Sequence, residues 1–259
     1  MQDLENKLNL ADFLMLIRKY PVAMSLHMKR CRDSDIDQLR DIFVQEDDFQ
    51  NQAYLKIIEA YQSEIVSQLA FLQGATESLK KTRNELGSQL TEEQIKLLKW
   101  QAKLEKNEQK NYINKSLQDT MAQLIQDGNI KEADKMRVEF KMSDRKYAWI
   151  RVMSHSQANH WKELNLFSMN KKIPIGFEPF VDVCLKYGSK NEAQKYVSKV
   201  KEDNKITYLL KCDMLDEAAK VAQEQRNIMG LRQVVANCGP QHQTLKKKIL
   251  TTLSELSAK

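Results

Sequence analysis

Cysteine and histidine are the residue types in this chain that could hold a metal ion. Four cysteines are scattered along the 259 residues, at Cys31, Cys184, Cys212 and Cys238. Zinc sites draw their ligands from closely spaced pairs such as Cys-x-x-Cys, and the sequence contains no such pair. We therefore predict free thiols packed among helices in a reducing compartment, with no bound metal.

The other residues that could do chemistry also lack the spacing that catalysis needs. His155 and His160 are close, but no glutamate stands between them, which excludes the helix of a zinc metalloprotease. The glycines are single and distant from one another, so no Gly-rich phosphate loop is present. Acidic residues are plentiful, but they fall on faces that should be wet, where nothing would tune their pKa values. We predict no catalytic residue, no cofactor and no enzymatic activity.

Composition favours a helical protein without a membrane segment. Hydrophobic residues make up 42% and charged residues 29%, with only 7 glycines and 4 prolines. No alternating run of β-branched residues argues for a sheet, and the apolar run from Phe13 to Ile17 is too short to cross a bilayer. The net charge of +6 is spread along the chain, and Lys246-Lys247-Lys248 has no interleaved aromatic residues. We predict an all-α cytosolic protein that does not bind nucleic acid.

Similar heptapeptides recur in the second half of the chain. Three of them contain Glu-Ala-x-Lys, and a fourth, degenerate copy falls between the first two. The copies are Asn129–Lys135, His160–Leu166, Ser189–Lys195 and Met214–Lys220. Their fifth residues, Ala133, Leu164, Ala193 and Ala218, are separated by 31, 29 and 25 residues. Such periods are typical of stacked helical hairpins, so we predict an elongated α-solenoid of antiparallel helical pairs over residues 127–259.

The first half has a different pattern. We predict short helices within residues 1–50 and one long helix near residues 53–86, because five apolar residues there are seven apart and a glycine follows. They are Ile58, Ile65, Leu72, Leu79 and Leu86, with Gly87 predicted to end the helix. Thr91-Glu-Glu-Gln94 is a capping box that predicts the start of the next helix.

That next helix has an unusually wide apolar stripe. Ile95, Leu98 and Ala102 form one row, and Leu97, Trp100 and Leu104 extend it around the helix. Two interpretations are open: a helix enclosed by two others, or a patch that faces a partner with Trp100 near its centre.

One segment of the repeats is distinctive. The stretch Lys171–Leu185 contains Pro-Ile-Gly and Pro-Phe-Val, and with Lys190–Tyr196 it closely resembles the C-terminal region of the vacuolar protein sorting-associated protein 16 family. Supporting matches occur at Asp41–Asp48, Thr91–Leu98, Ser116–Thr120 and Gln225–Asn227, and the similarity covers essentially all of residues 1–259. The resemblance implies a helical solenoid that follows a β-propeller. No propeller precedes it here, so we expect a fragment cut at a domain boundary.

The resemblance also implies a function. Proteins of this family are subunits of the HOPS and CORVET tethering complexes, which act in vesicle fusion on endosomes, lysosomes and vacuoles. We expect a cytoplasmic, non-catalytic scaffold that is peripheral on those membranes through its partners and has no integral membrane segment. The implied partners are an SM-type protein, vacuolar protein sorting-associated protein 33, the other tethering subunits, and SNAREs indirectly.

The family interface with the SM protein corresponds here to roughly residues 62–156, mostly within the predicted SM-binding helices of residues 51–126. Leu90 and Lys146 match two family interface positions, and Lys146 lacks the bidentate fork of the arginine usual in animal relatives. We expect apolar contacts from Leu90, Leu97 and Trp100 and complementary charge from Arg145 and Lys146. The full expected set of partner-binding residues is Leu90, Glu93, Leu97, Trp100, Arg145, Lys146 and Trp149.

Two alternative functions stay open at this point. One is a paralogous SM-binding protein of the spermatogenesis-defective 39 type, which pairs with a different SM protein. The other is a clathrin-like coat or cargo-adaptor solenoid, which predicts self-assembly or peptide capture.

Overall fold

The computed structural model describes residues 9–170 and 172–257. Residues 1–8 of the predicted N-terminal helices, residues 258–259 at the end of the predicted repeats and Lys171 of the distinctive motif lie outside the described residues. Within the described residues the chain forms sixteen α-helices, one short 3-10 turn at Pro240–His242 and no β-strand. The prediction of an all-α fold is confirmed. The helices belong to two compact units that divide between Asn114 and Lys115.

The unit before Lys115 contains six consecutive helices, and each packs against the next along the chain. They are α1 (Leu10–Ile17), α2 (Pro21–Ser34), α3 (Ile36–Gln45), α4 (Phe49–Tyr61), α5 (Ile65–Lys81) and α6 (Glu85–Glu108). Pro21 opens α2, where its fixed φ suits the first turn and its missing N–H leaves no donor unpaired. The most extensive packing joins α4 to α5 and α5 to α6.

The prediction of one long helix near residues 53–86 is wrong. The chain reverses between α4 and α5, because the Ser63 hydroxyl bonds the Glu59 carbonyl at 2.8 Å and Glu64 adopts an extended backbone. It reverses again after α5, where Arg83 has a φ of +57°. The seven-residue spacing therefore runs over three antiparallel helices. Of its middle members, Leu72 and Leu79 are buried and Ile65 is partly buried, whereas Ile58 and Leu86 at its two ends are 55% and 69% exposed.

The predicted start of the next helix is also wrong. Gly87 and Thr91 lie inside α6, whose cap is Asn84: the Asn84 side chain accepts the Gly87 N–H at 2.9 Å. The Thr91 hydroxyl bonds the Gly87 carbonyl at 2.8 Å and caps nothing. Asparagine is as good an N-cap as threonine, so two candidates stood seven residues apart and the tertiary fold decided between them.

The unit from Lys115 onward contains ten helices arranged as five hairpins. They are α7 (Leu117–Gln126) with α8 (Ile130–Glu139), α9 (Asp144–Gln157) with α10 (Trp161–Ser168), α11 (Glu178–Lys186) with α12 (Lys190–Val197), α13 (Glu202–Lys211) with α14 (Leu215–Glu224), and α15 (Ile228–Asn237) with α16 (Gln243–Ser257). First helices of successive hairpins also pack together: α7 on α9, α9 on α11, and α13 on α15. The predicted stack of helical hairpins is confirmed.

The recurring heptapeptides have one structural meaning. Each opens the second helix of a hairpin, and its fifth residue is fully buried at 0% exposure: Ala133, Leu164, Ala193 and Ala218. Before each of them the first helix ends at a residue with positive φ: Gly128, Asn159, Gly188 or Asp213. The N–H of the following residue then bonds five residues back, as from Ser189 to the Cys184 carbonyl at 2.9 Å. This C-terminal cap reverses the chain and sets the second helix against the first.

Candidate partner-binding site

The start of α9 presents three of the predicted side chains on one face. Ser143 caps this helix by accepting the Lys146 N–H at 3.4 Å. Arg145, Lys146 and Trp149 are exposed, Trp149 at 43%. The opposite face, with Tyr147 and other apolar residues, is buried, so the exposed side chains stand on a firmly packed helix.

These three residues line a groove together with three residues that were not predicted, Ser143, Ile175 and Pro179. The groove has a volume of about 410 Å³ and its walls are Ser143, Arg145, Lys146, Trp149, Ile175 and Pro179. Ile175 and Pro179 come from the Pro-Ile-Gly and Pro-Phe-Val segments. We call this surface the α9 groove. The sequence did contain a signal that could have identified Ile175 and Pro179, since the two segments that hold them carry the family resemblance.

A turn at Gly176 positions Ile175 and Pro179. Gly176 has a φ of +70°, and a Cβ there would lie 2.7 Å from the Glu178 Oε2 atom. That carboxylate oxygen accepts the Phe177 N–H at 3.1 Å and so closes the turn. Pro179 then falls in the first turn of α11, where no hydrogen bond is lost. Only glycine combines the positive φ with space for the carboxylate.

We expect Gly176→Ala to lower the free energy of unfolding by about 1–2 kcal/mol, because alanine is strained at positive φ and crowds Glu178. Gly74→Ala is the matched control. Gly74 lies inside α5, and its added methyl would meet Lys56 only at ordinary contact distances of 3.5 Å or more. The control should gain up to about 1 kcal/mol from helix propensity. Urea titrations followed by circular dichroism compare the two; equal changes in both variants would contradict the assigned turn.

The α9 groove is electropositive. Among the described residues, neither Arg145 nor Lys146 has a carboxylate within ion-pair distance, whereas neighbouring Asp144 is paired with Arg137. The N-terminus of α9 adds the positive end of its dipole. Residues 115–259 carry 25 basic and 17 acidic residues, a net charge of +8, while residues 1–114 carry 16 and 18, a net charge of −2. The groove therefore suits a partner surface with acidic and apolar groups.

The first unit presents a separate exposed surface on α6. Leu90 is 57% exposed and Glu93 is also exposed, one turn further along the same face. Leu86, one turn earlier, is 69% exposed and was not among the predicted partner-binding residues, because its seven-residue spacing had assigned it to the end of the long helix. Exposed leucines four residues apart form a small apolar patch on this helix.

Leu97 does not belong to that surface. It is 5% exposed, and Ile95, Leu98 and Leu104 are equally buried, while Trp100 is half-buried. The burial of Leu97 within this chain does not favour its predicted contact with a partner, which stays a prediction, and it favours the enclosed-helix interpretation of the wide stripe. After α6 the chain folds back against this helix. The Glu105 carboxylate of α6 accepts the N–H groups of Tyr112 at 2.6 Å and Ile113 at 2.8 Å. Helical spacing identifies a face, but it does not tell which part of the face other elements cover.

The cysteines are buried or partly buried in the packed helices. Within the described ranges none of the four forms a disulfide. Burial raises the pKa of the Cys184 thiol to about 12 and also raises the pKa of Cys212 and of Cys238. Such thiols stay protonated at neutral pH and are poor nucleophiles.

The described residues contain neither a group of metal ligands nor a helix that could span a membrane. No group of three or more histidine, cysteine or acidic side chains is placed to share a metal ion. No helix combines the length and the apolar character needed to span a bilayer.

Stacked helical hairpins with an open, positively charged groove define an α-helical repeat protein with a surface suited to binding another polypeptide. Comparison with known proteins agrees with this class and specifies it. The profile described as "Vps16, C-terminal region" matches residues 1–255, so the chain belongs to the Vps16 family through that region.

Individual relatives are similar to almost the whole chain. A vacuolar protein sorting-associated protein 16 homolog of Drosophila melanogaster is 30% identical over 96% of this chain and 30% of its own length. The homolog of Dictyostelium discoideum is 32% identical over 91% of this chain and 29% of its own length. The protein of Saccharomyces cerevisiae is 26% identical over 63% and 21%. The chain thus spans less than a third of the length of the first two curated relatives.

Proposed function

We propose that the chain is a non-catalytic scaffold of a HOPS or CORVET tethering complex on endosomal, lysosomal or vacuolar membranes. It binds an SM-type protein, vacuolar protein sorting-associated protein 33, and thereby recruits a SNARE regulator to the site of vesicle fusion. The observation that carries the proposal is the α9 groove, in which predicted Arg145, Lys146 and Trp149 meet Ile175 and Pro179. Membership of the Vps16 family supplies the cellular context.

The proposed mechanism is recruitment by a preformed surface. Trp149 supplies an aromatic side chain in the wall of the groove, and such residues dominate the energy of many interfaces. Arg145 and Lys146 pair with acidic groups of the SM protein and set the rate and register of association. Leu90 and Glu93 form a second contact on α6. We expect a buried area on the order of 1,600 Å², as in stable complexes of standard size.

Charge reversal in the α9 groove tests the proposal. Lys146→Glu should weaken binding to the SM protein by roughly tenfold, because it replaces attraction with repulsion at an exposed contact. The helical circular dichroism should not change, since Lys146 is exposed and substitutions at exposed positions usually have small effects on stability. Lys131→Glu, at an equally exposed position of α8, is the matched control and should bind as the wild type does.

The measurement is a titration of purified SM protein against immobilised chain, repeated with Leu90→Asp to examine the α6 surface. Both SM paralogues are titrated side by side, which separates the family role from that of the spermatogenesis-defective 39 type. Full binding by both Lys146→Glu and Leu90→Asp would contradict the proposed interface. Sedimentation of the chain alone into a lattice would favour the coat alternative.

A further inference from the structure

A second groove lies on the side of α9 opposite to the α9 groove. Its volume of about 560 Å³ is the larger of the two. Residues from α8, α9, α10 and the segment after α10 line it: Asp134, Arg137, Asp144, Tyr147, Ala148, Arg151, Phe167, Lys172, Ile173 and Pro174. We call it the Arg151 groove. Neither the predicted interface residues Arg145 and Lys146 nor Trp149 contribute to it.

Arg151 is held in place, but no carboxylate of the described residues lies within ion-pair distance of it. Its guanidinium carbon lies 4.3 Å from the centroid of the Phe167 ring, a cation–π contact that fixes the side chain. Its Nε–H is buried and has no hydrogen-bond acceptor among the described residues. A rigid guanidinium with an unused donor is ready to bind an oxygen atom, because a buried donor without a partner is costly.

The charges around Arg151 decide which anion fits. Arg137 is already paired with Asp144, so it adds no free charge. Asp134 lies beside the Tyr147 hydroxyl, and together with burial its carboxylate raises the pKa of Tyr147. Lys172 is exposed and has no carboxylate within ion-pair distance in the described part of the chain. Apart from the Arg137–Asp144 pair, the charged groups of the lining are thus the cations of Arg151 and Lys172 and the carboxylate of Asp134. The lining as a whole therefore carries a net charge of +1.

A single carboxylate matches this balance better than a phosphate does. The two negative charges of a phosphate group would overcompensate the lining and would meet Asp134, at a cost that a monoanion avoids. The groove also offers apolar contacts from Ala148, Phe167, Ile173 and Pro174, which a bare anion would leave unused.

We propose that the Arg151 groove binds a short acidic peptide segment, in which one Asp or Glu carboxylate pairs with Arg151 and Lys172. An aliphatic or aromatic side chain next to that carboxylate packs against Phe167 and Ile173. The guanidinium offers two parallel N–H donors to such a carboxylate, which gives both strength and orientation. This binding activity is independent of the SM-protein contact and adds a second polypeptide ligand to the scaffold.

The arginine side chain itself reports on binding. Chain labelled with ¹⁵N-arginine shows the Nε–H resonance of Arg151, which is assigned by its absence from Arg151→Gln. The probes are four peptides, Ac-Gly-Ser-Glu-x-Ser-Gly-amide, with x as Leu, Ile, Phe or Met, and four twins with Gln in place of Glu. We expect at least one Glu peptide to shift this resonance in a saturable way, and its Gln twin to bind about tenfold more weakly or not at all.

Variants separate this groove from general electrostatic attraction. Lys172→Gln should weaken the Glu peptide severalfold, whereas Lys162→Gln, an exposed lysine of α10 outside the groove, should not change it. Arg151→Gln should bind the SM protein as wild type does, and Lys146→Glu should retain peptide binding. Loss of both activities in Arg151→Gln would mean one shared surface and would overturn the proposal.

The remaining outcomes also contradict the proposal. If no Glu peptide moves the Arg151 resonance, or if the Gln twins move it equally, the groove does not select carboxylates. A phosphoserine peptide or vesicles of phosphatidylglycerol, a lipid whose headgroup carries a phosphate and no carboxylate, are added as further probes. A shift of Arg151 by either of them, without one by the Glu peptides, would reassign the groove to phosphate ligands.

Discussion

Phe180→Ala is expected to lower the free energy of unfolding by about 3–5 kcal/mol. Phe180 is 0% exposed, and its ring is the central one in a cluster of four aromatic rings. Its ring centroid is 6.0 Å from Phe167, 5.3 Å from Phe177 and 5.2 Å from Tyr196. Removing the ring leaves a cavity and also removes three aromatic contacts, so the loss should fall in the range of large core truncations.

The same substitution should also weaken the candidate site. Phe180 follows Pro179 directly and holds the start of α11 against α10 and α12, so the α9 groove depends on its packing. We therefore expect weaker SM-protein binding in Phe180→Ala even under conditions where the chain stays folded. Leu166→Ala is the matched control: Leu166 precedes Phe167 on α10 but is 67% exposed, and its truncation should cost less than about 0.5 kcal/mol.

Urea unfolding followed by circular dichroism measures both variants on the same chain. Similar losses from Phe180→Ala and Leu166→Ala would mean that the aromatic cluster does not stabilise this unit.

The second large effect should appear as a loss of stability in acid. His155 on α9 is 1% exposed, and neither ring nitrogen has a hydrogen-bond partner among the described residues. Burial lowers its pKa from 6.5 to about 4, with further lowering by the charges of Arg151 and His160 and a small opposite effect from Glu163. Protonation inside the fold is therefore unfavourable.

The direction of the pH effect on stability follows from whether the folded or the unfolded chain binds the proton at His155. Between pH 6.5 and about 4 the unfolded chain takes up a proton at His155 and the folded chain does not, so unfolding becomes easier as the pH falls. The contribution of neutral His155 to the free energy of unfolding is fully present above pH 6.5, and it declines as the pH falls from 6.5 to about 4. From pH 7 to pH 5 the loss should be about 2 kcal/mol, at 1.36 kcal/mol for each unit of pKa difference.

His155→Leu should remove this part of the pH dependence, because leucine fills the buried position and does not titrate. His242→Gln, which removes a histidine from the turn at Pro240–His242, is the control that keeps His155 in place. Free energies of unfolding at pH 7, 6 and 5 give the slopes. Equal slopes for wild type and His155→Leu would disprove the buried, neutral state of His155.

The hairpin repeats were predictable from the sequence because their signals are local. A small residue that must be buried at the close approach of two helices recurs at Ala133, Ala193 and Ala218. A residue that tolerates positive φ, such as Gly128 or Gly188, ends the helix before it. Both requirements act within one hairpin, so they repeat along the chain whatever the rest of the structure does.

Features of the first unit were harder to predict because competing local signals were similar in strength. Leucine or isoleucine at every seventh position fits one long helix as well as it fits antiparallel helices of similar length. Asn84 and Thr91 are both good caps, and only packing of α6 against α5 selected Asn84. Leu90 and Leu97 lie on the same face of α6, but one is exposed and the other buried.

The sequence by itself determined the helical class, the hairpin period, the family and three of the residues in the α9 groove. These depend on short-range rules of helix periodicity, turn chemistry and residue identity. The tertiary structure alone decided where α4, α5 and α6 begin and end, that Leu97 is buried, and that Ile175 and Pro179 join Trp149. Those features arise when different segments of the chain come into contact, and the free energy of those contacts is not encoded in any one local stretch.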